Sequence, residues 1–224
     1  MRIGIIGAGR IGGNAARLFA AAGHEVLLSL SRDRSRLREL ADEIGERAAV
    51  GSVAEAARFG EVVLFSVPWR LIPGVLEEVG SLDGKVVIDT TNQFGAGGVE
   101  QIPRGLTAAQ LNQERMPGAK LVKSFNTLTG GFQASEAGRE PPDQRVVLFL
   151  CGGDAPAKAT VGELIGDAGF VPVDLGGLAD AAPMEAPRRE GAVYGEEYRP
   201  AEARAVAEAL RRGEQISPTP EYSS

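Results

Sequence analysis

A glycine-rich loop near the amino terminus constrains this chain more than any other feature of its sequence. The apolar run Arg2–Ile6 enters the loop Gly7-Ala8-Gly9-Arg10-Ile11-Gly12, and apolar residues at helical spacing follow over Ile11–Ala22. A strand, a G-x-G-x-x-G loop and a helix in this order are typical of a dinucleotide-binding βαβ unit. In such a unit the first glycine allows the tight turn, the second lets the backbone approach the diphosphate, and the third lets helix and strand pack closely.

The N–H groups freed at the start of that helix would hold the diphosphate, helped by the helix dipole. The alternative is a glycine-rich turn that binds nothing. Because the loop lies between a strand and a helix, we favour the dinucleotide site. The residues predicted to contact the cofactor here are Gly7, Gly9, Arg10, Ile11 and Gly12.

Short runs rich in Val, Ile and Leu alternate with stretches of helical spacing over most of the chain. The runs are nearly continuous, which is typical of parallel strands covered on both faces. This predicts an α/β fold: a Rossmann-type doubly wound, mostly parallel sheet with helices on both faces and a short C-terminal helical appendage. After the first strand and helix, the predicted strands are Glu25–Leu30, Ala48–Val50, Glu61–Val67, Lys85–Asp89, Lys120–Lys123 and Arg145–Leu150. The predicted helices are Arg34–Ile44, Val53–Arg58, Pro156–Ala168 and Ala201–Arg211.

The regular spacing of apolar residues is lost beyond Leu175, and this divides the chain into two parts. We predict a dinucleotide-binding Rossmann domain over residues 1–176, and a C-terminal loop, helix and tail over residues 177–224 packed on or beside it. Phe94–Gln113 and Gly131–Asp143 are rich in Gly, Pro and polar residues, which predicts long loops with one or two short helices. Ligands of such sheets bind at the carboxyl ends of the strands, so we expect the functional residues just after each apolar run.

Composition excludes several classes of function. The net charge is -6 with a pI near 5.0, whereas nucleic-acid-binding proteins are usually basic, so we expect no nucleic-acid partner. A single cysteine, Cys151, cannot form an internal disulfide and fits a reducing compartment. No apolar stretch approaches the length that spans a bilayer, and since Met1 leads directly into the first predicted strand, we expect no signal peptide. We therefore expect a soluble, cytoplasmic protein without a membrane partner.

The end of the second predicted strand indicates which nicotinamide cofactor is bound. NAD enzymes usually place Asp or Glu there to hold the ribose hydroxyls, but this chain reads Leu28-Ser29-Leu30-Ser31-Arg32-Asp33. Arg32 can hold a phosphate with paired, charge-assisted hydrogen bonds, and Ser29 or Ser31 can donate to it. We interpret Asp33 as the N-cap of the next helix, and the alternative for Arg32 is a solvated charge at a helix start. These residues predict NADP(H) rather than NAD(H).

The chain carries few groups suited to acid–base or nucleophilic chemistry. Its one histidine, His24, lies in a turn before the second strand, at the wrong end of the sheet for a site. Cys151 follows an apolar strand without a basic neighbour in sequence, which favours a buried inert thiol. Hydrolase motifs and metal-ligand spacings are absent, so no metal site is predicted. A hydride acceptor with a flavin-like ring spreads the new charge itself and can react by positioning alone, which favours that class of acceptor.

Three later strand ends carry motifs that are informative as an ordered set. They are Phe65-Ser66-Val67-Pro68-Trp69-Arg70, Ile88-Asp89-Thr90-Thr91-Asn92 and Val122-Lys123-Ser124-Phe125-Asn126-Thr127. Together with the glycine loop and Ser31–Arg32, this set resembles the NADPH-dependent reductases typified by the deazaflavin (coenzyme F-420):NADP oxidoreductases. The cytosolic domain of the six-transmembrane metalloreductases is similar as well. The resemblance covers roughly the first four-fifths of the chain.

The resemblance implies a role for each motif. Ser31 and Arg32 would hold the 2′-phosphate, while Thr91 and Asn92 would border the nicotinamide ribose. Asn126 would face the nicotinamide edge where the acceptor stacks, and is the one predicted catalytic residue. The remaining predicted cofactor-binding residues are Ser66, Val67, Pro68 and Trp69, along the middle of the dinucleotide, and Lys123 from the third motif.

Alternatives remain for three of these residues. Pro68 can simply end a strand, Trp69 can cover the core, and Asn126 is a natural N-cap for the segment that follows it. The chain also departs from the family, whose deazaflavin-dependent members carry histidine at the position of Asn126 and hydroxyl residues in the stretch that matches Leu178–Met184. The acceptor site therefore resembles the family less than the NADP site does.

Three functions remain open at this point. The leading hypothesis is an NADPH-dependent reductase that passes a hydride to a deazaflavin or flavin coenzyme. The second is reduction of a small carbonyl, imine or metal chelate, and the third is an NADPH-sensing module without chemistry. We expect a small-molecule redox acceptor and a second copy of the chain, in a homodimer, as partners.

Overall fold

The computed structural model describes residues 1–30 and 34–216, and its centre is an eight-stranded sheet. The ten strands are β1 (Arg2–Ile6), β2 (Glu25–Ser29), β3 (Ala48–Val50), β4 (Val62–Phe65), β5 (Val86–Asp89), β6 (Phe94–Gly95), β7 (Gly98–Val99), β8 (Lys120–Lys123), β9 (Val147–Gly152) and β10 (Val171–Gly176). The eight helices of these described residues are α1 (Arg10–Ala21), α2 (Arg34–Ile44), α3 (Val53–Phe59), α4 (Ile72–Val79), α5 (Ala108–Arg115), α6 (Gly130–Glu136), α7 (Ala155–Asp167) and α8 (Pro200–Arg211). Short 3-10 segments cover Trp69–Leu71, Pro142–Gln144 and Leu178–Met184.

The sheet is doubly wound and mostly parallel, as the sequence predicts. Its strand order is β10-β9-β8-β5-β4-β1-β2-β3, and every neighbouring pair is parallel except β8 and β9. The strand order therefore proceeds in two directions from β1, which is the topology that places a ligand crevice at the carboxyl ends of the strands. In register, Ile6 is opposite Phe65, Phe65 is opposite Asp89, and Asp89 is opposite Lys123. The loops that follow these four strands are therefore neighbours along one edge of the sheet.

Two apolar layers cover the faces of the sheet. One layer contains Phe19, Phe125 and Phe170, and the other contains Phe65 and Tyr198. Burial on both faces explains why the strands read as continuous apolar runs. The C-terminal residues Met184, Val193, Tyr198, Ala203 and Ala207 are all buried in the second layer, so the segment beyond residue 177 packs into the same core as the sheet. The predicted α/β fold is confirmed.

Two elements are missing from the sequence-based prediction. Helix α4 begins Ile72-Pro73-Gly74, and a Pro and a Gly in the first turn conceal a helix although Pro is well tolerated there. Strand β10 contains Pro172, which argues against a strand in the middle of a sheet, but β10 is an edge strand where Pro is permitted. The predicted long loops contain the hairpin β6–β7 and the helices α5 and α6.

The helices described here are short, α7 being 13 residues long. Across residues 1–30 and 34–216, none is both long enough and apolar enough to cross a membrane.

Candidate functional site

The glycine loop has the geometry that a diphosphate requires. Gly7 has a φ of +98°, and a Cβ there would lie 2.1 Å from the Ser66 carbonyl oxygen. A Cβ at Gly12 would lie 2.1 Å from the carbonyl oxygen of Gly7. At Gly9, by contrast, a Cβ would meet no atom within 4 Å. Gly7 and Gly12 are therefore required by the turn and its packing, whereas Gly9 borders open space that a ligand can occupy.

The N-terminus of α1 has no side-chain cap, unlike the starts of α3, α5, α6 and α7. Its N-cap Gly9 makes no side-chain hydrogen bond, and its first turn holds no acidic residue. The N–H groups of Gly7 and Ala8 already donate to the Ser29 and Leu30 carbonyls, at 3.0 and 3.1 Å. Helices α3, α5, α6 and α7 are instead capped by the side chains of Ser52, Thr107, Thr129 and Asp154. The first-turn N–H groups of α1, which have no acceptor within the helix, therefore suit an anionic ligand.

Two of the residues predicted to hold the 2′-phosphate, Ser31 and Arg32, lie outside the described residues, as does the predicted N-cap Asp33. Leu30, just before them, has a φ of +54°, an uncommon conformation for a branched residue that redirects the chain at the end of β2. Ser29 requires a correction, because its hydroxyl is fully buried and donates to the Ile5 carbonyl oxygen at 2.9 Å. That hydroxyl holds β2 to β1 and is not available to a phosphate.

Two of the four predicted cofactor-binding residues after β4 are buried. Val67 and Trp69 are each 5% exposed, and Trp69 belongs to the core with the Arg115 guanidinium 4.5 Å from its ring centroid. The alternative reading of Trp69, as a residue that covers the core, is thus correct. Pro68 is exposed and Ser66 half-exposed, so these two remain accessible beside the glycine loop.

Two asparagines from different strand ends form a reciprocal pair. The Asn92 Nδ2 donates to the Asn126 carbonyl oxygen at 3.0 Å, and the Asn126 Nδ2 donates to the Asn92 Oδ1 at 3.2 Å. Asn126 Nδ2 also donates to the Met184 carbonyl oxygen at 2.7 Å. The Asn126 side chain does not cap α6, because Thr129 is the N-cap of that helix. The interpretation of Asn126 as merely the N-cap of the following segment is therefore wrong.

One atom of this pair is left without a partner. Asn126 is 4% exposed, and its Oδ1 is buried without a hydrogen bond. A buried acceptor of this kind costs about 1–3 kcal/mol unless a donor reaches it, so it calls for an explanation. The carboxamide N–H of a nicotinamide would satisfy Asn126 Oδ1. With the open space at Gly9 and the uncapped start of α1, this orphaned oxygen shows that the residues fit a nicotinamide dinucleotide.

Lys123 requires a second correction, because the structure places it beneath the site rather than against the cofactor. It is 0% exposed, and its Nζ donates to Asp89 Oδ2 at 3.1 Å and to the Thr91 carbonyl oxygen. The Thr91 N–H in turn donates to Asp89 Oδ1 at 2.9 Å. Asn112 Nδ2 completes the group, 3.0 Å from Asp89 Oδ2 and 2.9 Å from Thr91 Oγ1. This buried ion pair holds the turn that presents Asn92.

The C-terminal segment closes over the same edge of the sheet. The buried Glu185 carboxylate accepts the N–H groups of Ala108 and Ala109 at 2.9 and 2.8 Å, which ties the segment to the start of α5. Gln93 Nε2 donates to the Ala186 carbonyl oxygen at 2.9 Å. Sequence reasoning missed Asp89, Asn112, Gln93 and Glu185. Only Asp89 carried a signal, as a carboxylate that directly ends an apolar strand.

Within the described residues, no titratable side chain is hydrogen-bonded to the asparagine pair. The side chains of Asn92 and Asn126 bond to each other, to the Asn126 and Met184 carbonyls and to the Ala186 N–H. His24 lies at the start of β2, where its Nε2 is 3.0 Å from Asp167 Oδ2. Cys151 is fully buried, and this burial raises the pKa of its thiol well above the ordinary value. Both residues have the structural character predicted from the sequence.

Comparison with known proteins finds NADP oxidoreductases that are similar to this chain. Residues 2–93 match the family "NADP oxidoreductase coenzyme F420-dependent". The hypothetical protein SMa0349 from Sinorhizobium meliloti is 31% identical, with a TM-score of 0.76 over 89% of this chain and 95% of that one. The "putative F420 dependent NADP-reductase" of Arthrobacter sp. FB24 is 25% identical, with a TM-score of 0.67 over 81% of this chain and 87% of that one.

A curated relative extends the comparison to eukaryotes. Metalloreductase STEAP3 of Rattus norvegicus is 28% identical over 185 residues, which is 83% of this chain and 36% of that protein. This chain thus spans about a third of the length of that relative. Residues 2–93 thus carry the sequence pattern of the NADP oxidoreductases, and the chain as a whole is similar in sequence and fold to a protein described as a reductase of that kind.

Proposed function

We propose that this chain transfers a hydride between NADP(H) and a deazaflavin (coenzyme F-420) or flavin-like acceptor. The observation that carries the proposal is the Asn92–Asn126 pair, whose one unsatisfied atom, Asn126 Oδ1, suits a nicotinamide carboxamide. No acid or base is hydrogen-bonded to this pair within the described residues. An acceptor with an extended ring can take up a hydride without such a group, whereas a carbonyl normally needs a positioned proton donor.

The chain's own residues would bind and orient the reactants. The N–H groups of Arg10, Ile11 and Gly12 would hold the diphosphate against the N-terminus of α1. Asn126 would orient the nicotinamide through its carboxamide, and its own side chain is fixed by Asn92 and by the Met184 carbonyl. The bound NADP(H) supplies the hydride. Catalysis by such a site is mainly positioning, which becomes effective when the reacting atoms are held about 3–3.5 Å apart.

Cofactor preference gives a first expected result. Since Ser31 and Arg32 stand where NAD enzymes carry an acid, NADPH should bind more tightly than NADH. Arg32→Ala should weaken NADPH binding by about tenfold or more, because a lost charge-assisted phosphate contact costs roughly 1.5–3 kcal/mol. Calorimetric titration with both nucleotides measures this. Arg204→Ala, on the exposed side of α8, is the control and should bind like the parent. Equal affinity of the parent for NADPH and NADH would contradict the prediction.

The acceptor is tested by a panel of oxidants. We expect the purified protein to oxidise NADPH with a deazaflavin or a flavin, and only poorly with aldehydes or ketones. Robust turnover of imines, aldehydes or a ferric chelate without flavin or deazaflavin activity would overturn the proposal. The ferric chelate is included because one relative is a metalloreductase. NADPH binding without turnover of any acceptor would favour a sensing module.

Asn126 should matter more for turnover than for NADPH binding. Asn126→Ala is expected to lower kcat by about 10- to 100-fold, because small errors in the placement of the reacting ring are costly. The dissociation constant of NADPH should change much less, since most of its contacts lie elsewhere. Because the variant also leaves the Met184 carbonyl without its donor, a melting curve must show that the fold persists. Equal losses in kcat and in NADPH affinity would argue against a role at the reacting ring.

A further inference from the structure

Exposed apolar side chains are concentrated near the asparagine pair. Among the described residues, five large hydrophobic side chains are exposed, and three of them follow β4 and β5 at the site edge. These three are Leu71, Phe94 and Val99, at 40%, 48% and 38% exposure. Phe94 is the only one of the eight phenylalanines that is exposed, all eight lying in the described ranges. Grouped exposed apolar residues of this kind indicate a binding surface more often than isolated ones do.

Tyr194 completes this surface from the C-terminal segment. Its ring centroid lies 6.5 Å from that of Phe94, with the two planes tilted by 53°. Its position is fixed because its N–H donates to the Pro183 carbonyl oxygen at 3.1 Å. Burial raises the pKa of the Tyr194 hydroxyl, so the side chain is neutral at ordinary pH. Phe94 and Tyr194 thus form a tilted aromatic pair that is uncharged and still partly open to solvent.

The aromatic pair is connected directly to the two asparagines. The Phe94 N–H donates to the Asn92 carbonyl oxygen at 2.8 Å. On the other side, the N–H of Gly195 donates to the carbonyl oxygen of Thr127 at 2.9 Å, which places Tyr194 beside the residue after Asn126. The backbone of each aromatic residue is therefore held close to one member of the asparagine pair.

We propose that Phe94 and Tyr194, with Leu71 in the 3-10 segment that contacts β6, form the surface on which the planar ring of the hydride acceptor packs. This inference rests on the proposed function and specifies the acceptor as a large, flat, largely apolar ring system. Aromatic contacts supply much of the binding energy of such rings, whereas a small aldehyde would gain little from them. In the reaction NADPH loses a hydride and becomes NADP⁺. The acceptor ring gains that hydride, with its two electrons, and takes a proton from water wherever the reduced ring requires one.

The test measures acceptor binding separately from turnover. Phe94→Ala and Tyr194→Ala are titrated with a fluorescent deazaflavin chromophore in the presence of NADP⁺, which cannot donate a hydride. Both variants should bind the chromophore at least about tenfold more weakly than the parent, because an aromatic contact and its buried area are lost. NADPH affinity should stay within about twofold. Val50→Ala, which removes an equally exposed side chain from the edge strand β3, is the matched control and should bind like the parent.

The outcomes separate this inference from the proposed function. Parent-like chromophore affinity in both variants would overturn the inference alone, provided that the parent reduces the deazaflavin. Unchanged affinity together with loss of a dimer in sedimentation would also overturn it, and would make the surface a subunit contact. A parent that neither binds nor reduces any deazaflavin or flavin would overturn the proposed function, and the inference with it.

Discussion

Replacing Gly9 with valine is expected to abolish NADPH binding while the fold persists. Gly9 has a φ of -81° and a ψ of -152°, a backbone conformation open to any residue, and a Cβ there meets nothing within 4 Å. The valine side chain would fill the space in front of the α1 N-terminus, where the diphosphate has to lie. We expect the dissociation constant of NADPH to rise at least about 100-fold, or roughly 2.7 kcal/mol. The free energy of unfolding should change by no more than about 0.5 kcal/mol.

Two other glycines provide the controls for this experiment. Gly166 near the end of α7 also has open space around its Cβ position, so Gly166→Val should fold and bind NADPH like the parent. Gly12→Val should instead fail to fold, because its Cβ would lie 2.1 Å from the Gly7 carbonyl oxygen. Calorimetry and thermal melting together distinguish the three variants. If Gly9→Val binds NADPH with nearly the parent's affinity, the diphosphate does not lie in this loop.

Removing the charge of Lys123 should strongly lower the free energy of unfolding. Lys123→Met would leave the Asp89 carboxylate buried without its cation, and would remove a donor from the Thr91 carbonyl. Breaking a buried ion pair from one side costs about 3–5 kcal/mol. Adding Asp89→Asn to this variant removes the unpaired charge and should restore part of the loss. Denaturant unfolding of the parent and both variants measures these differences.

The same strand supplies a matched control for Lys123. Lys120 also carries an ion pair, with its Nζ 3.7 Å from Asp154 Oδ2, but its side chain is 44% exposed. Exposed ion pairs contribute little, so Lys120→Met should cost about 1 kcal/mol or less. Equal stability of Lys123→Met and Lys120→Met would show that the buried pair does not stabilise the turn before Asn92.

Much of the fold is predictable because local sequence and tertiary structure agree. Strands such as β1, β4 and β5 are buried on both faces, so their sequences are nearly continuous apolar runs that end where polar loops begin. The glycine loop is recognisable because its spacing follows from backbone geometry. Strand β10 was not predicted because it contains Pro172. Proline is tolerated there only because β10 is an edge strand, and that position is a property of the whole sheet.

The site was predictable in outline but not in its contacts. Sequence position correctly indicated that Asn92 and Asn126 lie at one edge of the sheet, since both follow parallel strands. It could not show whether a polar side chain at a strand end points to a ligand or to a neighbouring strand. Ser29 and Lys123 both point inward, because Ile5 and Asp89 offer buried acceptors beside them. Glu185 reaches α5 across 76 residues of sequence, and no local pattern encodes such a contact.

We propose that this chain moves a hydride directly from NADPH to a flavin-like ring beside Asn126. The most direct test uses NADPH that carries deuterium at both positions of nicotinamide C4, with a deazaflavin acceptor whose reduced ring carbon retains the transferred hydrogen. Mass spectrometry of the reduced acceptor, formed in ordinary water, should find one deuterium per molecule, and Asn126→Ala should slow its appearance by about 10- to 100-fold. Reduced acceptor without deuterium, or no reduction at all by a protein that binds NADPH, would contradict the claim.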